Sequence, residues 1–364
     1  MIPVYEPFLD EEEAKAVYDV VKSGWVSSKG KEIEKFEKNL ASYVGKKFGV
    51  STSNGTTALH LALAALGIGP GDEVIAPDFT FVSPVNAAIY QGARPVLVDA
   101  ETSTWGMNPD LIEKKITRRT RAIIVAHIYG NPAMVKEIAE IAEKHGIPLI
   151  EDCAESLGAI YDQRKVGTWG SISCFSFYGN KVITTGEGGM CITDDDELHE
   201  KMKILRDHGM RPEKRYWHEV IGYNYRMTNI QATLGLVQLR KLDDILSKKR
   251  NIAQEYISML EDKLSVQVDP PNGISIFWLF SVLAKDESER NRIIGNLGNA
   301  MIETRPFFFP VHTMPPYQQF FKDGNEFPVS NDISKRGLNL PSFPGLTTAE
   351  IKHICKIIIE SVNR

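Results

Sequence analysis

The chain has 364 residues, 43% of them hydrophobic and 24% charged, and a net charge of −5. That length suits one large domain plus a smaller one and can bury a sizeable core without disulfide staples. The acidic balance argues against nucleic acid or an anionic membrane as partner, and solvated helix faces account for the short basic runs at 118–121 and 248–250.

The opening, Met1-Ile-Pro-Val-Tyr-Glu-Pro7, lacks the charged and apolar regions of a secretory signal. Glu11–Ser23 has helical periodicity, with Ala14, Val17, Val20 and Val21 on one side, and Glu32–Tyr43 repeats it with Ile33, Phe36, Leu40 and Tyr43. A regular alternation follows. Phe48–Thr52, Glu73–Ala76, Pro95–Val98, Ala122–Ala126, Pro148–Glu151, Ile172–Phe177 and Met190–Thr193 read as strands. Thr57–Leu66, Pro84–Tyr90, Pro109–Lys115 and Met134–His145 read as helices between them. Such alternation predicts an α/β fold with a mostly parallel sheet covered on both faces.

Beyond Thr193 the alternation stops. Asp195–Asp207 reads as a helix, and Thr228–Leu260 as a long one, bent or broken. The tail mixes a strand at Ile276–Leu283 with helices at Glu287–Gly298 and Thr348–Val362. The expected division is a large domain over 1–245 and a small α+β domain over 246–364, with a soft boundary. Cys153, Cys174 and Cys191 lie in apolar runs, which reads as packing in a reduced compartment, and with Cys355 they form no C-x-x-C pair. No metal site is expected. Apolar runs such as Ala122–Ile128 are too short to span a bilayer. The expected location is cytoplasmic, where the sequon at Asn54-Gly-Thr56 is idle.

Ligands of open α/β sheets bind at the carboxyl ends of the strands, and three segments there carry candidate chemistry. In Ser51-Thr-Ser-Asn-Gly-Thr-Thr-Ala58 a strand ends, Gly55 permits a tight turn and a helix begins. Its free N–H groups with the Thr56 and Thr57 hydroxyls suit a phosphate; an ordinary helix cap explains the residues as well. In Ile150-Glu-Asp-Cys-Ala-Glu-Ser156, Asp152 stands at a strand end with Glu155 three residues on. A buried carboxylate there needs a cationic partner such as a pyridinium nitrogen; helix capping is the plain alternative. In Phe175-Ser-Phe-Tyr-Gly-Asn-Lys-Val-Ile-Thr-Thr-Gly-Glu-Gly-Gly189, Lys181 lies between two strands with no surface pattern around it. Burial would lower its pKa and suit carbonyl chemistry. The P-loop, dinucleotide, H-E-x-x-H and G-x-S-x-G patterns are absent. A nicotinamide oxidoreductase therefore lacks its opening motif.

These segments stand in order with Gly24-Trp-Val-Ser-Ser-Lys-Gly30, Phe36-Glu37, Gly69-Pro-Gly-Asp-Glu-Val74 and Gly186-Glu-Gly-Gly189. From about Pro3 onward the chain resembles the DegT/DnrJ/EryC1/StrS family of sugar aminotransferases. The resemblance implies pyridoxal 5′-phosphate (PLP) as cofactor, and fold-type I, the aspartate aminotransferase-like fold. It implies that Lys181 bonds the cofactor and that Asp152 pairs with its ring nitrogen. Thr56, Thr57 and Ser176 would hold the phosphate, Phe81 would stack on the ring, and Glu155 would sit near its O3′ hydroxyl. Many relatives carry Gln where Glu155 stands. Asn229 would reach the phosphate of a neighbouring subunit, which makes a homodimer with shared sites the active unit.

Arg215-Tyr-Trp-His218, Gly222-Tyr-Asn-Tyr-Arg-Met-Thr-Asn-Ile230, Glu303-Thr-Arg-Pro306 and Pro310-Val-His-Thr-Met-Pro-Pro-Tyr317 narrow the resemblance. They imply L-glutamate as donor and GDP-4-keto-6-deoxy-D-mannose as acceptor, aminated at C4 for surface polysaccharide. A UDP- or dTDP-linked keto-sugar is the alternative, and a non-catalytic protein of the same fold is a rival that an intact Asp152–Lys181 pair disfavours. Trp25, Ser27, Arg215, Arg305, His312 and Tyr317 are the substrate-side candidates. Core packing explains Trp25 and Tyr317 equally well, and a satisfied loop histidine explains His312. Arg226 reads alternatively as a structural ion-pair residue, and His127 as a core histidine.

Overall fold

The computed structural model describes residues 1–211, 213–321 and 327–362. Helix α1 (Glu11–Ser23) starts at a reciprocal cap between Asp10 and Glu13 and stops at left-handed Gly24. Helix α2 (Lys31–Val44) buries Ile33, Phe36, Leu40 and Val44. Then follow β1 (Phe48–Thr52), α3 (Gly55–Ala65), β2 (Glu73–Pro77), α4 (Ser83–Tyr90), β3 (Arg94–Val98), β4 (Thr120–Ala126), α5 (Val135–Lys144) and β5 (Leu149–Asp152). Two short strands, β6 (Ile160–Tyr161) and β7 (Arg164–Lys165), precede β8 (Ile172–Ser176), β9 (Gly189–Thr193) and α6 (Asp196–Arg206).

The main sheet has seven strands in the order β1-β9-β8-β5-β4-β2-β3. Only β9 runs antiparallel to its neighbours. Period-two alternation decides the layering. Ala122 and Ile124 of β4 join a core with α3, whereas Ile123 and Val125 join one with α5. Helices therefore cover both faces. The parallel strands end along one edge, and the chemistry collects there.

Helix α7 (Asn229–Leu260) runs unbroken for 32 residues, although a bend or break was expected. No proline interrupts it, and its buried face changes partners instead. Ala232, Leu242 and Ile245 serve the first core; Ile252, Ala253, Tyr256 and Leu260 serve the second. That second core lies against β10 (Ser265–Val266), β12 (Phe280–Leu283), β13 (Arg305–Pro306), β14 (Gly337–Leu340), α8 (Glu287–Asn299) and α10 (Thr348–Val362). The small sheet is ordered β10-β12-β14-β13, while β11 (Gly273–Ile274) pairs with β6, and α9 (Pro328–Arg336) precedes β14. The first residues return to this lobe: Ile2 bridges Ile302, and the Val4 carbonyl accepts from Ser342 N–H.

Three further expectations need correction. Pro109–Lys115 forms two 3₁₀ turns, because seven residues are too few to offset helix nucleation. The strand expected over Ile276–Leu283 begins only at Phe280. Phe277 takes φ 48°, and the Ile276 and Leu279 amides bond to the Gly130 and Tyr129 carbonyls. Finally, the basic runs are not solvated helix faces. Arg118–Arg121 leads into β4, and Lys249 is fully buried, donating to the Ser342 carbonyl at 2.5 Å.

Burial drags the Lys249 ammonium from the ordinary lysine range down to about 7. Its folded pKa lies below its unfolded one, so between about pH 7 and 10 the unfolded chain binds the extra proton. Stability then rises with pH across that window, at up to ~1.4 kcal/mol per unit, and the penalty is fully present below it. Lys249→Met should flatten this rise. Urea melts of both proteins at pH 7 and 9 measure it; equal slopes for the two proteins contradict it.

Candidate active site

The ends of β1, β2, β4, β5 and β8, Glu187 ahead of β9, and Trp278, Arg305 and Asn339 from the later part of the chain line a cavity of about 580 Å³. After β1, the Asn54 side chain accepts from Thr57 N–H while the Thr57 hydroxyl donates to the Asn54 carbonyl, capping α3. The first amides of that helix, at Gly55 and Thr56, have no intrahelical partner and line the cavity. A side chain at Gly55 would meet Ser176 Cβ at 2.8 Å, so glycine lets the helix start approach the end of β8. Thr56 and Ser83 share a hydroxyl hydrogen bond of 2.7 Å.

Asp152 ends β5. One of its oxygens accepts from Ala154 N–H at 3.0 Å, and burial raises its pKa against that bond and the charge of Lys181. Glu155, also pushed up by burial, accepts from Tyr129 N–H with one oxygen. Its other oxygen is 3.6 Å from Lys181 Nζ. The Lys181 amine lies below the ordinary lysine range because it is desolvated, with Glu155 and Asp152 opposing the shift. Trp278 covers that amine, its ring centroid 3.9 Å away.

The peptide that carries Lys181 is held from two sides. Trp278 Nε1–H donates to the Asn180 carbonyl, and the Tyr5 hydroxyl to the Lys181 carbonyl, both at 2.6 Å. Trp278 reaches its place because the 275–279 segment docks on the loop after β4. A Cβ at Gly130, where φ is +95°, would sit 2.4 Å from Trp278 N. Tyr129, next to it, holds φ 54°, strain that the tight packing sustains.

The fit to PLP can be judged from this donor set. A desolvated amine suits an aldehyde, a buried carboxylate lacking a full counter-charge suits a ring cation, and a helix start with open amides suits a phosphate. The three occupy one cavity, and the residues fit the cofactor.

Thr56, Thr57, Phe81, Asp152, Glu155, Ser176, Lys181 and Arg305 all line this cavity. The other candidates do not. Asn229 is buried and fastens the 25–32 loop of its own chain: its amide donates to the Trp25 carbonyl and its oxygen accepts from Glu32 N–H. Trp25, Ser27 and Arg215 are exposed away from the cavity. His312 is locked on Asp78, Nδ1 to Oδ2 at 2.8 Å, and stacks on Phe327. The Tyr317 hydroxyl donates to Asn86. Arg226 pairs with Asp207 at 2.9 Å.

His127 lines the cavity wall but is satisfied within the core: Nδ1 accepts from Ala133 N–H, and Nε2 faces Glu151 at 3.4 Å. With Cys153 these two residues could form a metal triad by distance alone. Glu151 already accepts from the Gly167, Trp169 and Gly170 amides, so its oxygens are committed. Sequence reasoning missed Tyr5, Tyr129, Asn180, Glu187 and Trp278. Glu187 lay in a quoted Gly-rich run; the aromatic residues carried no signal beyond ordinary packing.

A model of the DegT/DnrJ/EryC1/StrS aminotransferase family matches residues 7–359. The chain is 45% identical over 359 residues to a GDP-perosamine synthase of Escherichia coli O157:H7, covering 99% of this chain and 98% of that one. It is 44% identical over 361 residues to a GDP-perosamine synthase of Vibrio cholerae, covering 98% of each. Among solved structures, the PLP-form of Spr1654 from Streptococcus pneumoniae superposes with a TM-score of 0.95 at 28% identity, covering 100% of this chain and 98% of that one.

Proposed function

This chain belongs to the DegT/DnrJ/EryC1/StrS aminotransferase family, and from that premise we propose that it moves the amino group of L-glutamate onto the C4 ketone of GDP-4-keto-6-deoxy-D-mannose, giving GDP-perosamine for surface polysaccharide such as O-antigen. It is a PLP-dependent sugar aminotransferase of fold-type I. The observation that carries the reaction class is the desolvated Lys181 amine facing two buried carboxylates in one cavity. The near full-length similarity to GDP-perosamine synthases supports the sugar.

When bound, PLP supplies an aldehyde that captures the amine and a ring that takes up the electron pair released when a C–H bond breaks. Lys181 Nζ would bond it at rest and, once displaced, would take up and return the proton of the donor's Cα. Its lowered pKa keeps a share of the amine unprotonated and able to accept. Asp152 would set a negative charge against the ring nitrogen and so keep a proton there. Glu155 holds the Lys181 amine near the reacting carbon, and Trp278 shuts water from one side of it. Gly55, Thr56, Thr57 and Ser176 would hold the phosphate, and Phe81 would stack on the ring.

The reading extends to a homodimer in the cytoplasm, with a large domain over 1–245 and a small one over 246–364. Tyr216, Trp217 and Ile221 are exposed on one segment, as an intersubunit face would require. Among the described residues no helix is long and apolar enough to cross a membrane. The change of core between Ile245 and Ile252 supports the division.

Incubation with PLP, L-glutamate and each of the GDP-, UDP- and dTDP-linked keto-sugars, followed by mass spectrometry, tests the assignment. Amination of the GDP-sugar is expected. Amination of a UDP- or dTDP-sugar alone would refute the acceptor and leave the reaction class standing.

A further inference from the structure

Trp278 is buried just ahead of β12, and its indole makes two different contacts with the reactive lysine segment. Its Nε1–H donates to the Asn180 carbonyl at 2.6 Å, and its ring centroid lies 3.9 Å from Lys181 Nζ. The segment that carries it is pinned at three points. Ile276 N–H and the Ser275 hydroxyl donate to the Gly130 carbonyl, and Leu279 N–H donates to the Tyr129 carbonyl. Tyr129 stacks against the indole with the ring planes 24° apart.

The charged groups that act on the Lys181 amine are Glu155, 3.6 Å away, with Asp152 and Arg305. During transfer this amine is unbonded from the cofactor, and it alternates between a neutral and a protonated form. It must stay beside the reacting carbon in both. A carboxylate grips the ammonium strongly and the neutral amine much less, and it can take the proton itself. An indole face behaves differently. It keeps van der Waals contact with the neutral amine, attracts the cation through the ring quadrupole, and has no lone pair with which to take the proton.

Resting on the aminotransferase reading above, we propose that Trp278 is a positioning residue: its face is the berth of the Lys181 amine whenever that amine is free of the cofactor, and it keeps the proton carrier beside the reacting carbon. The Nε1–H bond to Asn180 holds the peptide; the ring face holds the amine.

Two variants separate these contacts. Trp278→Phe keeps a ring and loses the bond, and Trp278→Leu loses both, with Trp278→Met as its substitute should the leucine protein melt early. The first readout uses cofactor-free protein. Trace acetylation with acetic anhydride over a pH series, followed on the Lys181 peptide by mass spectrometry, gives the pKa of the amine. It should fall in Trp278→Leu by roughly half a unit to one and a half units, the scale of a desolvated cation–π contact, and by less in Trp278→Phe. The second readout uses PLP-loaded protein with L-glutamate and no sugar. The limiting rate of bleaching of the visible band should fall about 3- to 30-fold in Trp278→Leu and by less in Trp278→Phe, with the glutamate needed for half-bleaching little changed. A native visible band and melting temperature show that the variants fold. Equal losses in the two variants assign Trp278 to its grip on Asn180 and overturn the proposal, as does an unmoved or raised amine pKa in Trp278→Leu. A wild-type protein that fails to bleach removes the aminotransferase reading, and the acetylation result still judges the berth.

Discussion

Lys181→Ala is expected to lower amino transfer by at least about 10³-fold, the scale of a lost positioned acid–base group. The residue has two jobs at one atom: it bonds the cofactor at rest and moves the proton during transfer. No neighbour can take over. Asp152 and Glu155 are carboxylates, and the Arg305 guanidinium holds its proton too tightly to act as a base. The substitution also removes the positive charge that pulls against the burial-raised pKa of both carboxylates. Both should then titrate still higher, and the empty protein should bind cofactor weakly and without its yellow colour. A small primary amine added to the assay should restore part of the proton transfer. Visible spectra and product mass spectrometry check all three points, and turnover near the wild-type level in the variant would end the assignment.

Asp152→Asn is the second large effect. It keeps the shape and the bond from Ala154 N–H, and removes the charge. A neutral amide cannot hold a proton on a ring nitrogen, so the electron pair released at the donor's Cα loses its sink. Turnover should drop about 10²- to 10³-fold. Cofactor affinity should fall by roughly 10-fold or more, since a charged hydrogen bond contributes about 1.5–3 kcal/mol. Equilibrium dialysis of cofactor and single-turnover rates measure the two separately. The pH dependence carries a further sign. In the empty protein burial holds the carboxyl high; a ring cation opposite would pull it down, so cofactor binding should weaken as acid protonates Asp152. The asparagine variant should lose that acid limb.

The fold was legible because the strands are short apolar runs whose neighbours are helices, and burial on both faces forces that composition. Phe48–Thr52 and Glu11–Ser23 were placed to the residue, and Asp152 and Lys181 stood out because each follows such a run. Lys249 was misread because one helix serves two cores, and periodicity counted along a single face cannot register a change of partner. Trp278 and Tyr129 were hidden for another reason: their role comes from left-handed backbone at Tyr129 and Phe277, a feature that apolar composition does not encode. His312 and Tyr317 were set among the substrate candidates by resemblance, and their bonds to Asp78 and Asn86 were invisible until distant segments met.

The two carbonyls flanking the reactive lysine are gripped by Tyr5, 176 positions upstream, and by Trp278, 98 positions downstream. Trp278 lies downstream of Thr193, where the last strand of the main sheet ends. A nascent chain can therefore complete the sheet and still present a loosely held amine. A firm hold on that amine therefore requires both lobes, and capture of the vitamin-derived aldehyde during refolding should report when the second of them arrives.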